Sequence, residues 1–382
     1  MNPEHLGQIL AQAPTPAYVL DLGRLRANLA VLDAVQRRSG AKILLALKAF
    51  SMWSAFPLIR QTLHGVCASS PWEARLGREA FGREVHSFAA AFSAADLREL
   101  LTTSDHLCFN SFAQLERFRP LWQDSGVSVG LRVNPEHSEG HTPLYDPCAP
   151  GSRLGIRRAE FEGRSLAGIA GLHFHTLCEH LFEPLERTAR VFEEKFGEYL
   201  PGMQWLNLGG GHHITREGYD LDGLVALIGH FQEKYGVQVY LEPGEAVVLN
   251  AGVLVTQVLD VIHNQVDIAI LDTSAACHMP DVLEMPYRPP LFGAAEPGEK
   301  PHTVRLAGPS CLAGDVIGDW SFDTPLAPGD RLAFGDMALY TMVKNTAFNG
   351  IQLPAICTFE PDTGEVAVVR RFGYEDFRGR LS

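Results

Sequence analysis

The sequence predicts an α/β protein: a (β/α)8 barrel of the TIM type, joined to a second domain that is all β. Between about residues 43 and 243, short apolar runs alternate with helical segments eight times, as in a (β/α)8 barrel. After about residue 247, short β-rich runs separated by proline and glycine turns replace this alternation. The change of pattern indicates two domains of different architecture.

The predicted elements follow one another in a regular order. A short strand at 15–20 comes first, and Asp21 is placed to cap the next helix, which Gly40 ends. The eight predicted barrel strands are 43–47, 65–69, 85–90, 106–110, 127–134, 169–175, 205–208 and 237–241. The predicted helices are 22–38, 71–80, 93–101, 111–122, 184–196 and 221–235, and 135–155 is irregular.

These elements set the expected domain boundaries. We expect the barrel to occupy residues 23–247, and the β domain, a sandwich or a barrel, to combine 1–22 with 248–382. The β-rich runs behind the second assignment are 253–261, 266–271, 303–306, 331–334 and 365–369. An open doubly wound sheet is the alternative, but no GxGxxG follows the first strand with an acid about 20 residues later.

Composition and charge exclude several classes of function. Of the 382 residues 46% are hydrophobic, so the chain can bury a large core and is not disordered. A net charge of −13 argues against nucleic acid and membrane as partners; it suits a cationic ligand, or is simply an acidic surface. Seven cysteines without a CxxC pair indicate neither a disulfide framework nor a metal site. We find no signal peptide and no apolar stretch of about 18 residues, which predicts a cytoplasmic protein.

Candidate catalytic residues stand where predicted strands end, because barrels of this type carry their active sites at that rim. Lys48 closes the apolar run 43–47. Either it marks where the strand meets solvent, or its amine forms a Schiff base, most often with pyridoxal phosphate (PLP). Gly209–Gly211 are either a flexible turn or backbone N–H groups that face an anion. Glu242 is either a surface acid or the partner of a protonated pyridine nitrogen.

Two further motifs also allow two interpretations each. His173 and His175 lie on one face of a strand. Either they are core residues whose hydrogen bonds are satisfied, or one of them stacks on a cofactor ring. They would also suit a metal, but no third ligand is evident. Cys311, in the turn Gly308–Asp315, is either an inert buried thiol or a proton donor. Because a lysine at the first barrel strand, a histidine at the sixth, three glycines at the seventh and a glutamate at the eighth appear in this order, a PLP site is favoured.

The chain resembles the fold-III PLP-dependent decarboxylases, the group of ornithine, arginine and diaminopimelate decarboxylases. Within the group it is most similar to the carboxynorspermidine (carboxyspermidine) decarboxylase branch. The motifs are LALKAF around Lys48, GLHFHTLCE at 171–179, NLGGGHHIT at 207–215, EPGEA at 242–246, HMPDVLEMPYRP at 278–289 and GPSCLAGD at 308–315. The resemblance covers nearly the whole chain. It implies PLP as cofactor and decarboxylation of a carboxypolyamine in polyamine biosynthesis.

The resemblance assigns roles around the cofactor. Lys48 would form the Schiff base, and Glu242 would pair with the pyridine nitrogen. His175, or in second place His173, would stack on the ring. The phosphate would be held by Gly209, Gly210, Gly211, the Gly244 backbone and Tyr340.

The resemblance also implies how substrate is bound and protonated. Cys311 would reach in from the partner subunit of a homodimer with shared active sites and return a proton to the α-carbon. Because a polyamine tail is cationic, its pocket should contain carboxylates. The candidates, all in the β domain, are Asp272, Asp281, Glu284 and Asp315, although Asp272 and Asp281 equally suit turns.

Two departures from the group's motifs narrow the substrate. Ornithine and diaminopimelate decarboxylases carry an arginine that supports the phosphate where this chain has Glu245, and Leu312 replaces a glutamate typical of diaminopimelate decarboxylases. A diaminopimelate or other basic amino-acid decarboxylase, or a racemase, remains an alternative. A non-catalytic regulatory homologue that only binds a ligand is the alternative of another class. The irregular stretch 135–155 is either a lid or an insertion.

Overall fold

The computed structural model describes residues 2–140 and 145–382, and the chain divides into two compact units. The barrel unit is Asn28–Val247. The sheet unit combines the residues up to Ala27 with Val248–Ser382. The expected boundaries were 22/23 and 247/248. Residues 141–144, in the stretch considered as a lid, lie outside the described residues.

The strands alternate with helices in the first part of the chain and dominate the last part. In chain order the strands are β1 (Ala17–Asp21), β2 (Lys42–Ala46), β3 (Gly65–Ala68), β4 (Glu84–Phe88), β5 (His106–Phe109), β6 (Ser128–Arg132), β7 (Gly171–His173), β8 (Trp205–Asn207), β9 (Gln238–Leu241), β10 (Gly252–Asn264), β11 (Val266–Leu271), β12 (His302–Ala307), β13 (Val316–Phe322), β14 (Arg331–Gly335), β15 (Ala355–Glu360) and β16 (Glu365–Arg370).

The helices are longest between the barrel strands. In chain order they are α1 (Pro3–Gln12), α2 (Leu22–Ser39), α3 (Phe56–Ile59), α4 (Pro71–Leu76), α5 (Ala94–Thr103), α6 (Phe112–Arg117), α7 (Arg119–Trp122), α8 (Phe182–Phe196), α9 (Leu221–Tyr235), α10 (Glu245–Val248), α11 (Ala275–His278), α12 (Asp281–Glu284), α13 (Thr341–Lys344) and α14 (Tyr374–Arg378). Within the described part of the chain, none of them combines the length and the apolar character needed to span a membrane.

Strands β2 to β9 form a closed barrel in which each strand is parallel to its neighbours. The barrel closes where β9 pairs with β2, through Lys42 with Tyr240 and Ile43 with Leu241. Most positions of these strands are buried, as expected for a parallel sheet covered by helices, and the apolar runs of the sequence supply that core. The predicted (β/α)8 barrel is confirmed.

Several helices differ from their predicted form for local reasons. The predicted helix at 111–122 is broken at Phe118 into α6 and α7, because Pro120 has no N–H to continue the ladder. The helix predicted at 71–80 ends as α4, and a π-helical turn, Gly77–Phe81, continues it. Helix α1 was not predicted; Asn2 caps it by accepting from the Glu4 N–H.

The sheet unit contains one mixed sheet in the order β13-β12-β11-β10-β1-β15-β16, with β14 also paired to β10. The second β domain is therefore confirmed, although the described strands form a single branched sheet instead of a sandwich. The reason is the 13-residue length of β10, which lets it pair with β1, β14 and β11 along its course. Strand β1 belongs to this sheet, since it pairs with β10 and β15.

Candidate active site

A cavity opens at the carboxyl ends of the barrel strands. It is lined by residues from all eight barrel strands or from the turns that follow them, and it lies within the barrel unit. The lining includes Lys48, Arg132, His173, His175, Asn207 and Glu242. The cavity is therefore at the rim where barrels of this type carry their active sites.

Lys48 lies beyond the end of its strand and reaches into the cavity. Strand β2 ends at Ala46, one residue before the predicted end, because the chain turns there and the Ala46 carbonyl accepts from the N–H groups of Ala49 and Phe50. The neighbours of Lys48 in sequence are fully buried, whereas Lys48 itself is exposed. The turn thus presents a single solvent-accessible amine from an otherwise apolar segment.

His175 lies beside this amine, with 3.5 Å between His175 Nε2 and Lys48 Nζ. Its other ring nitrogen, Nδ1, accepts from the Gly210 N–H at 3.0 Å. Burial, and then the nearby Lys48 charge, hold the pKa of His175 well below its ordinary value. A neutral His175 that accepts at Nδ1 carries its proton on Nε2, so this ring offers a donor to the cavity.

Glu242 carries a charge inside the barrel. Burial alone raises the pKa of this carboxyl, but His173 and a hydrogen bond from Asn207 Nδ2 outweigh burial and lower the pKa to about 2. The distances are 2.7 Å from Asn207 Nδ2 to Glu242 Oε1 and 3.4 Å from His173 Nε2 to Glu242 Oε2. Glu242 is therefore an ionised acceptor at neutral pH.

The loop Gly209–Gly211, hereafter the glycine loop, is packed too tightly for any side chain. A Cβ on Gly210 would lie 2.1 Å from the Glu242 carbonyl oxygen, and one on Gly211 would lie 1.9 Å from the Leu177 carbonyl oxygen. Gly209 and Gly211 also have positive φ, at +70° and +84°. The glycines are required by close backbone approach.

The N–H groups of the glycine loop are only partly available to an anion. The Gly209 N–H donates to Asn207 Oδ1 and the Gly210 N–H donates to His175 Nδ1. For Gly211 and Gly244, the described residues provide no recorded acceptor. These two N–H groups, from loops that touch one another, are the ones that remain for an anion.

Sequence reasoning did not assign roles to Arg132 and Asn207, although both stand at strand ends. Arg132 is buried, donates from Nη2 to the His175 carbonyl at 2.9 Å, and lies 4.4 Å over the Phe88 ring. Burial lowers the pKa of Arg132 to about 10. A charged residue inside the apolar run VSVGLRVN was the signal that could have identified it.

A second polar cluster, also not foreseen, joins Glu84, His86 and His106, whose ligand atoms lie within 4.8 Å of one another. Lys42 Nζ bonds Glu84 Oε1, so a lysine already neutralises the carboxylate. The His86 and His106 rings stack at 3.9 Å and 8°. This cluster is balanced by its own residues and does not need a metal.

In the sheet unit, Cys311 and Asp315 belong to one tight turn. Cys311 is exposed, and its N–H donates to Asn349 Oδ1 at 2.8 Å. Asp315 is buried and accepts from Ser274 Oγ at 2.8 Å and from Ser310 Oγ at 2.5 Å. Asp315 therefore holds the turn that carries Cys311.

Tyr340 has φ +45°, a strained value for a residue with a side chain.

The remaining candidate acids all have partners within the sheet unit. Asp272 accepts from Thr256 Oγ1 at 2.6 Å and from the Gln257 N–H at 2.9 Å. Lys344 Nζ bonds both Asp281 Oδ1 and Glu284 Oε2, the latter at 2.6 Å. Asp281 and Glu284 thus already bind an ammonium group, whereas Asp272 and Asp315 support the backbone.

Comparison with known proteins places these features in a family. The model of the pyridoxal-dependent decarboxylase family, described by its C-terminal sheet domain, matches residues 17–338. The chain is 46% identical over 374 residues to the carboxyaminopropylagmatine decarboxylase of Synechocystis sp., covering 97% of this chain and 96% of that one. It is 44% identical over 374 residues to the carboxynorspermidine/carboxyspermidine decarboxylase of Campylobacter jejuni, covering 95% and 97%.

Solved structures agree with this result. The crystal structure of carboxynorspermidine decarboxylase from Campylobacter jejuni, complexed with norspermidine, has a TM-score of 0.89 at 44% identity and covers 96% of this chain and 99% of that one. Diaminopimelate decarboxylase from Helicobacter pylori shares the fold, with a TM-score of 0.82 at 20% identity and coverage of 98% and 99%. The predicted PLP-dependent carboxy-lyase class is confirmed: the chain belongs to the pyridoxal-dependent decarboxylase family.

Proposed function

We propose that the barrel cavity binds PLP, with its aldehyde carbon at Lys48 and its phosphate between the glycine loop and Gly244. The site fits this group on three grounds: one exposed lysine amine, one largely buried ionised carboxylate and, beside the cavity, a glycine cradle with two N–H groups left over. When bound, PLP supplies an electron sink for the electron pair left by departing CO2. Tyr340 is proposed as a further phosphate ligand, on the resemblance alone.

The residues of the cavity would orient the cofactor. Glu242, kept ionised by Asn207 and His173, favours a protonated pyridine nitrogen across from it. His175 is proposed to lie against the ring, since its Nδ1 is fixed by Gly210. Arg132 holds the His175 backbone in place through its bond to the carbonyl.

We propose that Cys311 of a second copy returns the proton to the α-carbon, which makes the active unit a homodimer. The exposure of Cys311 and the firm anchoring of its turn by Asp315 support this role. A thiol that donates a proton must be accessible to the substrate, and an exposed thiol meets that condition.

The proposed substrates are carboxynorspermidine and carboxyspermidine. The observation that carries this choice is the 44% identity, over nearly the whole of both chains, to an enzyme of that name whose structure was solved with norspermidine. The net charge of −13 suits a polycationic substrate. We propose Asp281 and Glu284 as ligands of the tail, because two carboxylates face the single Lys344 ammonium, which leaves one negative charge for a cationic tail.

Carboxyaminopropylagmatine is a second candidate substrate, favoured by the 46% identity to the Synechocystis enzyme. By their names, all three compounds share a carboxylated aminopropyl end, on which the chemistry takes place. They differ at the far end, where agmatine carries a guanidinium and the polyamines carry an ammonium. The choice therefore depends on residues that contact the tail, since a guanidinium prefers planar, two-point acceptors.

An absorbance spectrum of the purified protein, before and after borohydride, tests cofactor binding. We expect a band near about 420 nm that borohydride removes, with the added mass mapped to the Lys48 peptide. A colourless protein that takes up no added PLP would instead favour the non-catalytic binding homologue. Release of CO2 from carboxynorspermidine, carboxyspermidine, carboxyaminopropylagmatine and diaminopimelate, compared by kcat/KM, then ranks the substrates.

A further inference from the structure

His213 and Glu245 form a buried pair beside the proposed phosphate site. His213 Nε2 lies 2.8 Å from Glu245 Oε2, and the exposed fractions of the two side chains are 7% and 12%. His213 follows the glycine loop by two residues, and Glu245 follows Gly244 directly. The pair therefore joins the two backbone segments from which the cradle is built.

A second set of contacts already joins these segments at their beginning. The Glu242 N–H donates to the Gly209 carbonyl at 2.7 Å, and a Cβ on Gly210 would strike the Glu242 carbonyl oxygen. The His213–Glu245 bond joins the same two segments a few residues further along each. Gly211 and Gly244, whose N–H groups have no recorded acceptor within the described residues, lie between the two contacts along the chain.

The imidazole of His213 is itself incompletely satisfied. Its Nδ1 is buried and has no hydrogen-bond partner among the described residues, while Nε2 is engaged by Glu245. A buried polar atom without a partner is costly, so it indicates strain, a functional role, or an unseen water or ion at that atom. Glu245 orients the ring so that the unpartnered nitrogen stays on the side away from the carboxylate.

We propose that the His213–Glu245 pair is a positioning element for the phosphate group of PLP: it fixes the separation of the glycine loop and Gly244. The inference rests on the proposed function, because it requires PLP at this site. It gives Glu245 a role that does not involve direct contact with the phosphate, because the two negative charges would repel each other.

The test compares PLP with pyridoxal, which has the same ring and aldehyde but no phosphate. The variants are His213→Gln, which removes the imidazole–carboxylate bond, Glu245→Gln, which removes the charged acceptor of that bond, and the double variant. The matched control is Glu193→Gln, which breaks another histidine–glutamate pair of the barrel unit. Glu193 pairs with His230 at 2.9 Å, near the surface. Dissociation constants for both aldehydes are measured by absorbance on the apo-protein, and the 31P signal of bound PLP is recorded.

We expect Glu245→Gln and His213→Gln each to weaken PLP at least tenfold, to leave pyridoxal within about twofold, and to shift the 31P signal. The double variant should be little worse than either single variant, since both remove the same bond. Glu193→Gln should change neither dissociation constant.

Two results would overturn the inference: unchanged PLP affinity in both single variants, or an equal loss for PLP and pyridoxal, which would indicate general disruption of the barrel. If Glu245→Gln fails to fold, His213→Gln alone decides. Failure of the proposed function looks different, since unaltered protein would then bind neither aldehyde at Lys48.

Discussion

At the scale of single residues, the negative charge of Glu242 is stabilised by its neighbours in the cavity. A carboxylate inside a barrel is unfavourable unless it is hydrogen-bonded or paired. Asn207 serves both sides of this arrangement, because its amide nitrogen donates to Glu242 and its oxygen accepts from Gly209. One amide therefore couples the ionised acid to the position of the glycine loop.

Replacement of Glu242 by Gln removes that charge at nearly constant shape. We expect kcat to fall roughly 100- to 1000-fold, the usual effect of losing one preorganised electrostatic contact. PLP should still bind, because the phosphate cradle and Lys48 remain. Steady-state kinetics and the cofactor spectrum test this, with Glu233→Gln, an exposed acid of α9, as the control. An unchanged kcat would contradict the role given to Glu242.

The tail acids are expected to affect binding more than chemistry. Asp281→Asn removes one of two carboxylates that hold Lys344, so a polyamine tail loses an acceptor and Lys344 loses a partner. We expect KM for carboxynorspermidine to rise roughly tenfold while kcat changes less than about threefold. The control is Asp319→Asn, a similarly paired acid of the sheet unit that bonds Arg305. If KM and kcat were the same in the variant and the parent, Asp281 would not belong to the tail site.

At the scale of elements, the turn after each barrel strand matters more than the strand itself. The strands supply an apolar core, whereas the residues just beyond their carboxyl ends supply the amine, the acid and the glycine loop. The most restrictive of these turns is the glycine loop, because two of its residues have positive φ and all three touch backbone of a neighbouring segment.

Gly211→Ala separates crowding from backbone strain when it is compared with Gly218→Ala. Both glycines have φ above +80°, so both alanines carry the left-handed penalty of about 1–2 kcal/mol. Only at Gly211 does the added Cβ meet backbone, 1.9 Å from the Leu177 carbonyl oxygen, whereas nothing lies within 4 Å at Gly218. We expect Gly211→Ala to lose several kcal/mol more of unfolding free energy in denaturant titrations, and to lose PLP. Equal losses at both positions would mean that the loop moves aside.

The sequence predicted the elements of the barrel better than the pairs inside it. Local patterns were sufficient for α9, whose bounds agree with the prediction, and most barrel strands begin within two residues of their predicted starts. Proline chemistry explains the break at Phe118. Contacts such as His213 with Glu245, or Lys344 with Asp281, join residues 32 and 63 positions apart. Their geometry is set by barrel closure and sheet pairing, which no local pattern encodes.

At the scale of the whole molecule, the site is proposed to need two chains. Mixing Lys48→Ala with Cys311→Ala chains should restore about a quarter of the parent activity, because half the dimers are mixed and each mixed dimer has one intact site out of two. Each variant alone should be inactive. Subunit exchange is verified by native mass spectrometry of a tagged chain, and exchange without recovery would count against a shared site.

Buried neutral histidines predict how the molecule responds to acid. Burial lowers the pKa of His212 to about 3 and that of His278 to about 4. The unfolded chain therefore binds more protons than the folded one below about pH 6.5, so stability falls as pH drops from about 6.5 towards 4. Each group contributes up to about 1.4 kcal/mol per pH unit in that window. His278→Asn should reduce the slope of unfolding free energy against pH, and an unaltered slope would place the protons elsewhere.

The barrel closes where β9 meets β2, and this junction has a consequence for biosynthesis. Lys48 follows the first barrel strand, whereas Glu242 and Gly244 follow the last. A nascent chain exposes its lysine early, but the carboxylate and half of the proposed phosphate cradle leave the ribosome only after the whole barrel has been translated. If PLP binds as proposed, cofactor loading is therefore a late event in the life of each chain, and a truncated translation product would carry the lysine amine without the residues proposed to hold the ring.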